Sequence, residues 1–218
     1  MSKAVVLLSA GLDSTVNLYR ARKEFDEMLA ITFNYGQRSA SKEIERAIEM
    51  TRALGVSHEV IELPWLKRIT RTSLVNKDMN VPTGDEVSIN DYTQSVKTAQ
   101  AVWVPNRNGA FLNIASSFAD SMGAQWIIPG FNKEEAETFP DNSVEYIQAA
   151  NRALSFSTQG PVQIKCYTQS LTKTEIVSLG RELRVNFDLI WSCYFDGEKM
   201  CGQCESCQRF YRAIKGAK

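Results

Sequence analysis

Short apolar, β-branched runs alternate with helical segments of ten or more residues along most of this chain, and that rhythm leaves few architectures open. Ala4 to Leu8 is a compact apolar run, and after Asp13-Ser14-Thr15 the residues Val16, Leu18 and Tyr19 recur at helical spacing. Leu29 to Phe33 reads as a second strand. Lys42 to Leu54 reads as a helix with Ile44, Ala47, Ile48 and Leu54 on one face and Gly55 as its stop, and Val60 to Leu63 as a third strand. Further on, the pattern predicts a helix over 110–122, a strand over 125–128, a helix near 144–154, a strand over 162–166 and a helix over 173–183. Such alternation predicts βαβ units and an α/β fold, with a mostly parallel sheet covered by helices on both faces. Residues 66–102 break the rhythm. They are rich in Asn, Thr, Ser and Asp and read as a long excursion within one domain over 1–218.

Composition narrows the chemistry. A chain of 218 residues buries about 70% of its unfolded surface without disulfides. Its 25 basic and 25 acidic side chains cancel, which speaks against a partner gripped by overall charge, whether nucleic acid or anionic lipid. His58 is the only histidine, which excludes His-rich zinc hydrolase sites and disfavours a Ser/His/Asp triad; it is read as a surface or packed residue just before a strand. Asp13 interrupts the apolar N-terminal stretch, so a signal peptide is not expected, nor is a membrane span. A reducing cytoplasm is the expected setting, where neighbouring cysteines are metal ligands before they are disulfides.

Two clusters carry chemistry. Ser9-Ala10-Gly11-Leu12-Asp13-Ser14 links the first strand to the first helix, where backbone N–H groups and the positive helix end favour anions. Gly11 permits close approach, Ser9 and Ser14 offer hydroxyls, and Asp13 suits a bound cation, so magnesium with a polyphosphate satisfies the set. The same spacing also suits a tight turn with Asp13 or Ser14 capping the helix. Near the C-terminus Cys193, Cys201, Cys204 and Cys207 place four thiols within fifteen positions. A closed structural zinc site is expected over 191–210, with an iron–sulfur cluster as rival, and such a site holds the tail rather than doing chemistry. Cys166 is left over and is read as a packed thiol.

The glycine loop after the first strand, followed by Asn34-Tyr35-Gly36-Gln37-Arg38 after the second, resembles the PP-loop ATP pyrophosphatase superfamily, whose mark is Ser-Gly-Gly-x-Asp-Ser. Here Ala10 replaces the first glycine. Adding Val104-Pro105-Asn106-Arg107-Asn108, Leu171-Thr172-Lys173-Thr174-Glu175-Ile176-Val177 and Trp191-Ser192-Cys193-Tyr194 with the three later cysteines, the chain is similar nearly end to end to the 7-cyano-7-deazaguanine synthase family.

That resemblance implies a Rossmann-like sheet of the adenine nucleotide alpha-hydrolase type. It also implies conversion of 7-carboxy-7-deazaguanine and ammonia to the nitrile with two ATP, and a homodimer. Carried over by position, Leu8, Ser9, Ala10, Gly11, Leu12, Asp13, Ser14 and Thr15, with Gln37, would hold ATP and its magnesium. Lys173 would stabilise departing pyrophosphate, and Arg107 would receive a carboxylate or the α-phosphate. Asn108, Phe131 and Asp141 are candidates for the base; Asn106 and Asn108 also suit capping of the next helix. Two departures, Ser39 where many relatives carry histidine and Asn142 where they carry cysteine, bear on the base contacts. The rival readings are a PP-loop enzyme acting on tRNA (a thiolase or lysidine-type ligase), another ammonia-dependent ligase related to NAD or GMP synthetase, and an inactive zinc-bearing interaction module.

Overall fold

A computed structural model describes residues 2–217. Five strands, β1 (Lys3–Leu7), β2 (Glu27–Asn34), β3 (Ser57–Glu62), β4 (Trp126–Ile128) and β5 (Gln163–Ile164), pair in parallel in the order β3-β2-β1-β4-β5. The helices are α1 (Leu12–Arg22), α2 (Ala40–Leu54), α3 (Pro64–Ile69), α4 (Tyr92–Ala101), α5 (Arg107–Met122), α6 (Lys133–Ala136), α7 (Val144–Ser157), α8 (Lys173–Glu182) and α9 (Glu205–Gly216).

The two-residue period of β1 divides the core. Ala4, Val6 and Leu8 join Val16, Leu18, Met50, Ile176 and Phe210 on the face covered by α1, α2, α8 and α9. Val5 joins Ile31, Leu112, Ala115, Ala119, Ile127 and Leu154 on the face covered by α5 and α7. A central strand buried on both sides reads as a continuous apolar run, which is why Ala4 to Leu8 shows no polar alternation. No helix among the described residues is long and apolar enough to cross a membrane.

The excursion is more ordered than its composition suggests. It contains α3, a 3-10 turn over Gly84–Glu86, and α4, with Asp91 capping α4 by accepting from the Gln94 N–H. The sequence of α4, Tyr-Thr-Gln-Ser-Val-Lys-Thr-Ala-Gln-Ala, has few large apolar residues, so its period was too weak to read. Leu74, Val75, Val81 and Val102 bury against the α5 face, and Arg38 donates to the Ser73 carbonyl at 2.7 Å and the Asn76 carbonyl at 2.9 Å.

Other expectations need correction. α5 starts at Arg107, not Ala110, so Arg107 and Asn108 lie in its first turn; Asn106 takes the cap position at φ 48° without a side-chain cap bond. β3 starts at Ser57, so His58 lies inside it, half-buried, with Nε2 2.8 Å from Thr32 Oγ1. β5 ends at Ile164, leaving Cys166 beyond it. Ile48 faces solvent while Met50 and Thr51 are buried in its stead. α9 was not anticipated, because its first turn overlaps the cysteine motif. Gly55 does stop α2, in the left-handed region at φ 63°.

Where β4 ends, a Cβ on Gly130 would lie 2.6 Å from Ser14 N and 2.7 Å from Ser14 Cα. Gly130→Ala therefore forces the loop after β1 and the start of α1 away from β4. It is expected to destabilise the protein by about 1–3 kcal/mol in denaturant unfolding.

Candidate active site and metal centre

The strand order reverses between β1 and β4, and the loops that follow those strands part there to open a cavity of about 210 Å3 at the carboxyl edge of the sheet. Ser9, Gly11, Asp13 and Ser14 form one wall. The Ser9 N–H donates to Ser14 Oγ at 3.2 Å, the two hydroxyls lie 3.1 Å apart, and the Gly11 N–H points at Ser9 Oγ at 3.4 Å. This is a ring of weakly satisfied donors at the start of α1, a geometry that accepts anionic oxygens. Ala10 sits at φ 56°, where a side chain costs about 1–2 kcal/mol. The superfamily's glycine at this position has a backbone reason, and the Ala10 methyl, fully buried in the α1 core, offsets part of the cost.

Lys173 closes the site. Its Nζ lies 2.6 Å from Asp13 Oδ2 and 2.6 Å from Glu135 Oε1. Burial disfavours the ammonium, but the two carboxylates outweigh it and hold Lys173 above its ordinary range. The acids differ: the Asp13 side chain is 11% exposed and burial pushes it up to about 6 against the pull of Lys173, whereas Glu135, 34% exposed, is brought down by Lys173. Asp13 Oδ1 is buried with no hydrogen-bond partner, a vacancy that fits a cation brought with polyphosphate.

Behind this triad runs a second layer. The Lys173 N–H donates to Glu134 Oε1 at 2.8 Å, and Glu134 Oε2 takes Arg212 and, at 3.5 Å, Arg209 of α9. Arg209 also pairs with Glu205 at 2.7 Å, and Glu205 accepts from Thr98 of α4. Elsewhere on the cavity wall the Arg107 Nη1 donates to the Tyr35 hydroxyl at 3.2 Å. Asp141 lies near that guanidinium, with Asn142 donating to it at 3.2 Å, and burial raises its carboxyl against Arg107's pull.

Of the residues expected to bind, Leu8, Ser9, Gly11, Leu12, Asp13, Ser14, Arg107, Asn108, Phe131 and Lys173 line the cavity. Ala10, Thr15, Gln37 and Asp141 do not. The Thr15 hydroxyl turns into the core toward Met50 Sδ at 3.5 Å, and the Gln37 amide is spent on Phe33, Tyr35 and Glu43.

The four C-terminal cysteines converge. All their sulfurs lie within 4.8 Å of one another, Cys201 and Cys207 at 3.9 Å. A zinc ion at about 2.3 Å from each sulfur needs sulfur–sulfur edges near ~3.8 Å, so the donor set fits one tetrahedral metal. N–H groups of Phe195 and Cys201 point at Cys193 Sγ, and those of Gln203 and Cys204 at Cys201 Sγ, at 3.3–3.4 Å, which favours thiolates. The segment is joined to the glycine loop by the Trp191 N–H, 2.9 Å from the Ala10 carbonyl.

The sequence profile of the family described as Queuosine biosynthesis protein QueC matches residues 3–218. The chain belongs to the QueC family. It is 55% identical to the 7-cyano-7-deazaguanine synthase of Bdellovibrio bacteriovorus over 99% of this chain and 94% of that one, and 54% identical to the enzyme of the same name from Carboxydothermus hydrogenoformans over 99% and 100%. An archaeal relative of that name, from Methanosarcina barkeri, is 48% identical over 99% and 94%. Among solved structures, a 4-thiouridine synthetase in complex with RNA and bound ATP superposes with TM-score 0.54 at 18% identity, over 99% of this chain and 50% of that one. NMN synthetase from Francisella tularensis gives 0.51 at 15%, over 99% and 77%. These two likenesses speak for the PP-loop fold alone.

Several residues that line the cavity of this QueC family member were not singled out from sequence: Tyr35, Glu43, Phe111, Trp191, Tyr194 and Ser206. Tyr35, Trp191 and Tyr194 stood inside quoted motifs, but without the fold nothing showed that the cysteine segment forms a wall of the same cavity as the glycine loop. Glu134 and Glu135 carry no signal of their own in the sequence. A smaller chamber of about 120 Å3, lined by Phe139, Thr138 and Arg209, shares Arg107, Glu135, Asn142 and Tyr194 with the main cavity.

Two outcomes follow from this geometry. Lys173→Met leaves Asp13 and Glu135 facing each other without their cation and is expected to cost about 3–5 kcal/mol in unfolding free energy, with Lys173→Arg recovering part of it. Cys204→Ser is expected to lose the bound metal, by elemental analysis, and to lower the melting temperature, while a chelator lowers the melting temperature of the wild type to a similar extent.

Proposed function

We propose that this chain is an ATP-dependent carbon–nitrogen ligase that converts 7-carboxy-7-deazaguanine and ammonia to 7-cyano-7-deazaguanine, releasing AMP and diphosphate. Family membership carries the reaction. What supports the placement of its steps is that the glycine loop, Asp13, Lys173 and Arg107 all line one cavity.

A carboxylate resists nucleophiles because of its charge and because oxide is a hopeless leaving group. Attack of the carboxylate oxygen on the α-phosphorus of ATP expels pyrophosphate and leaves an acyl adenylate, whose acyl group no longer carries the carboxylate charge. Ammonia adds to the acyl carbon, a proton is lost and AMP departs, giving the amide. Attack of the amide oxygen on the α-phosphorus of a second ATP repeats the activation. Loss of two protons and AMP from that imidate gives the nitrile. One site serves both rounds, since each needs an oxygen aimed at the α-phosphate and a firmly held leaving group.

The Gly11 and Ser9 N–H groups, the Ser9 and Ser14 hydroxyls and the Lys173 ammonium hold the β- and γ-phosphates and stabilise departing pyrophosphate. Lys173 is preorganised for this by Asp13 and Glu135. The Arg107 guanidinium receives the substrate carboxylate or the α-phosphate in bidentate fashion, with Tyr35 fixing its direction. Magnesium carried with ATP would be held at the vacant Asp13 Oδ1, supplying charge neutralisation at the phosphates. Zinc at the four cysteines leaves no open coordination position, so its contribution is structural. Free ammonia as donor, a homodimer and a cytoplasmic setting complete the proposal.

The thiolase reading requires a reactive cysteine. Burial raises the Cys166 thiol, its Sγ lies 3.4 Å from the Phe131 carbonyl, and it does not line the cavity.

Purified protein given ATP, magnesium, ammonium and 7-carboxy-7-deazaguanine is expected to yield AMP and the nitrile by mass spectrometry; absence of substrate-dependent AMP would sink the assignment. Asp13→Asn should lose at least about 100-fold in pyrophosphate release, with a circular-dichroism spectrum like that of the wild type.

A further inference from the structure

Glu43 stands in the first turn of α2, and its side chain lines the main cavity. Its carboxylate is held on both oxygens: Ser39 Oγ donates to Oε1 at 2.6 Å and Gln37 Nε2 to Oε2 at 2.9 Å. Gln37 is fixed in turn, since Nε2 also donates to the Phe33 carbonyl at 3.0 Å and Oε1 accepts the Tyr35 N–H at 3.0 Å. Two neutral side chains thus aim one carboxylate, yet among the described residues no basic side chain pairs with it. Burial pushes the carboxyl above its ordinary range; Arg107 draws it down and Asp196 opposes Arg107, both from a distance.

A carboxylate offers about four lone-pair sites, of which Ser39 and Gln37 take two. Keeping a partly buried carboxylate with its remaining acceptors open and no cation in contact has a cost that a ligand supplying donors would relieve. The surroundings are flat and apolar: Phe33 and Phe111 stack with centroids 4.1 Å apart, and both line the cavity beside Tyr35.

We propose that Glu43 determines base specificity by accepting the ring N1–H and the 2-amino group of 7-carboxy-7-deazaguanine, a planar pair of adjacent donors that matches two carboxylate oxygens as a guanidinium does. The proposal rests on the substrate assigned above. Adenine presents an amino donor beside a ring-nitrogen acceptor, and a carboxylate repels the latter, so ATP is the poorer partner for this position. Arg107, which lines the same cavity, then meets the substrate's anionic group while Glu43 meets its donor edge. The two opposite charges orient one molecule without neutralising each other.

The test is a substrate-by-variant cycle on the intact enzyme. Wild type and E43Q are assayed for AMP and nitrile with 7-carboxy-7-deazaguanine and with the analogue that lacks the 2-amino group. Deleting the amino group should lower wild-type kcat/KM about 10- to 100-fold. E43Q should raise the KM for the acid by a similar factor, leave the KM for ATP and for ammonium within about two-fold, and discriminate between the two substrates by only a few-fold. E43D, which keeps the charge but draws it back by one methylene, should retain part of the preference and serves if E43Q does not fold. Discrimination by E43Q equal to that of the wild type would overturn the proposal, as would a rise confined to the KM of ATP or of ammonium. Turnover of the acid by the wild type with undiminished discrimination in E43Q removes only the role of Glu43, whereas no turnover by the wild type removes the substrate and both readings with it.

Discussion

A buried ammonium shared by two carboxylates joins segments that lie far apart in the chain. Lys173, at the N-terminus of α8, meets Asp13 of the glycine loop 160 residues earlier and Glu135 of α6. At 8% exposure its charge would be costly without both partners. The arrangement carries one negative charge more than it neutralises, and that excess is what a cation at Asp13 Oδ1 would relieve. The triad is therefore stable enough to preorganise Lys173 and unsatisfied enough to favour binding of a metal–polyphosphate. Both properties come from the same count of charges.

The position of α6 depends in turn on the C-terminal helix. Glu134 is held by Arg209 and Arg212, and Arg209 by Glu205, the residue that follows Cys204 of the four-cysteine cluster. Thr83 bridges to Cys204, the Gly84 N–H reaches the Gln203 carbonyl at 3.1 Å, and Thr98 donates to Glu205, so the excursion is fastened to the same segment. A metal at the four cysteines would therefore fix more than the tail: it would set the wall formed by Trp191 and Tyr194, the ends of the excursion, and through Glu134 the approach of α6 to Lys173. Structural and catalytic roles remain distinct in chemistry, but the second depends mechanically on the first.

Legibility in the sequence followed the range of the interaction. The parallel sheet, α1, α2 and the glycine loop were readable because apolar periodicity and turn chemistry are local. The cysteine cluster was readable because short spacing alone constrains a metal site. α4 was not, since its stability comes from a cap and from contacts with Glu205 and Arg209 rather than from an apolar stripe. Lys173 could be placed at a helix start but not recognised as buried, because exposed and doubly paired lysines look alike in a sequence. Glu43 was missed for the same reason: its meaning lies in what fails to contact it.

Ala10 shows how such constraints combine. Its carbonyl accepts the Trp191 N–H while its φ of 56° turns the following Gly11 N–H toward Ser9 Oγ. A glycine there would reach this conformation freely but would also leave it freely. Alanine adds strain to the folded loop, yet its methyl, fully enclosed by the α1 core, limits the alternatives open to the backbone. The strain is held in place by the sheet on one side and by the cysteine segment on the other. A loop that presents N–H groups and hydroxyls to phosphate oxygens, as proposed for this one, gains from that restriction, because order supplied before binding is not charged against affinity.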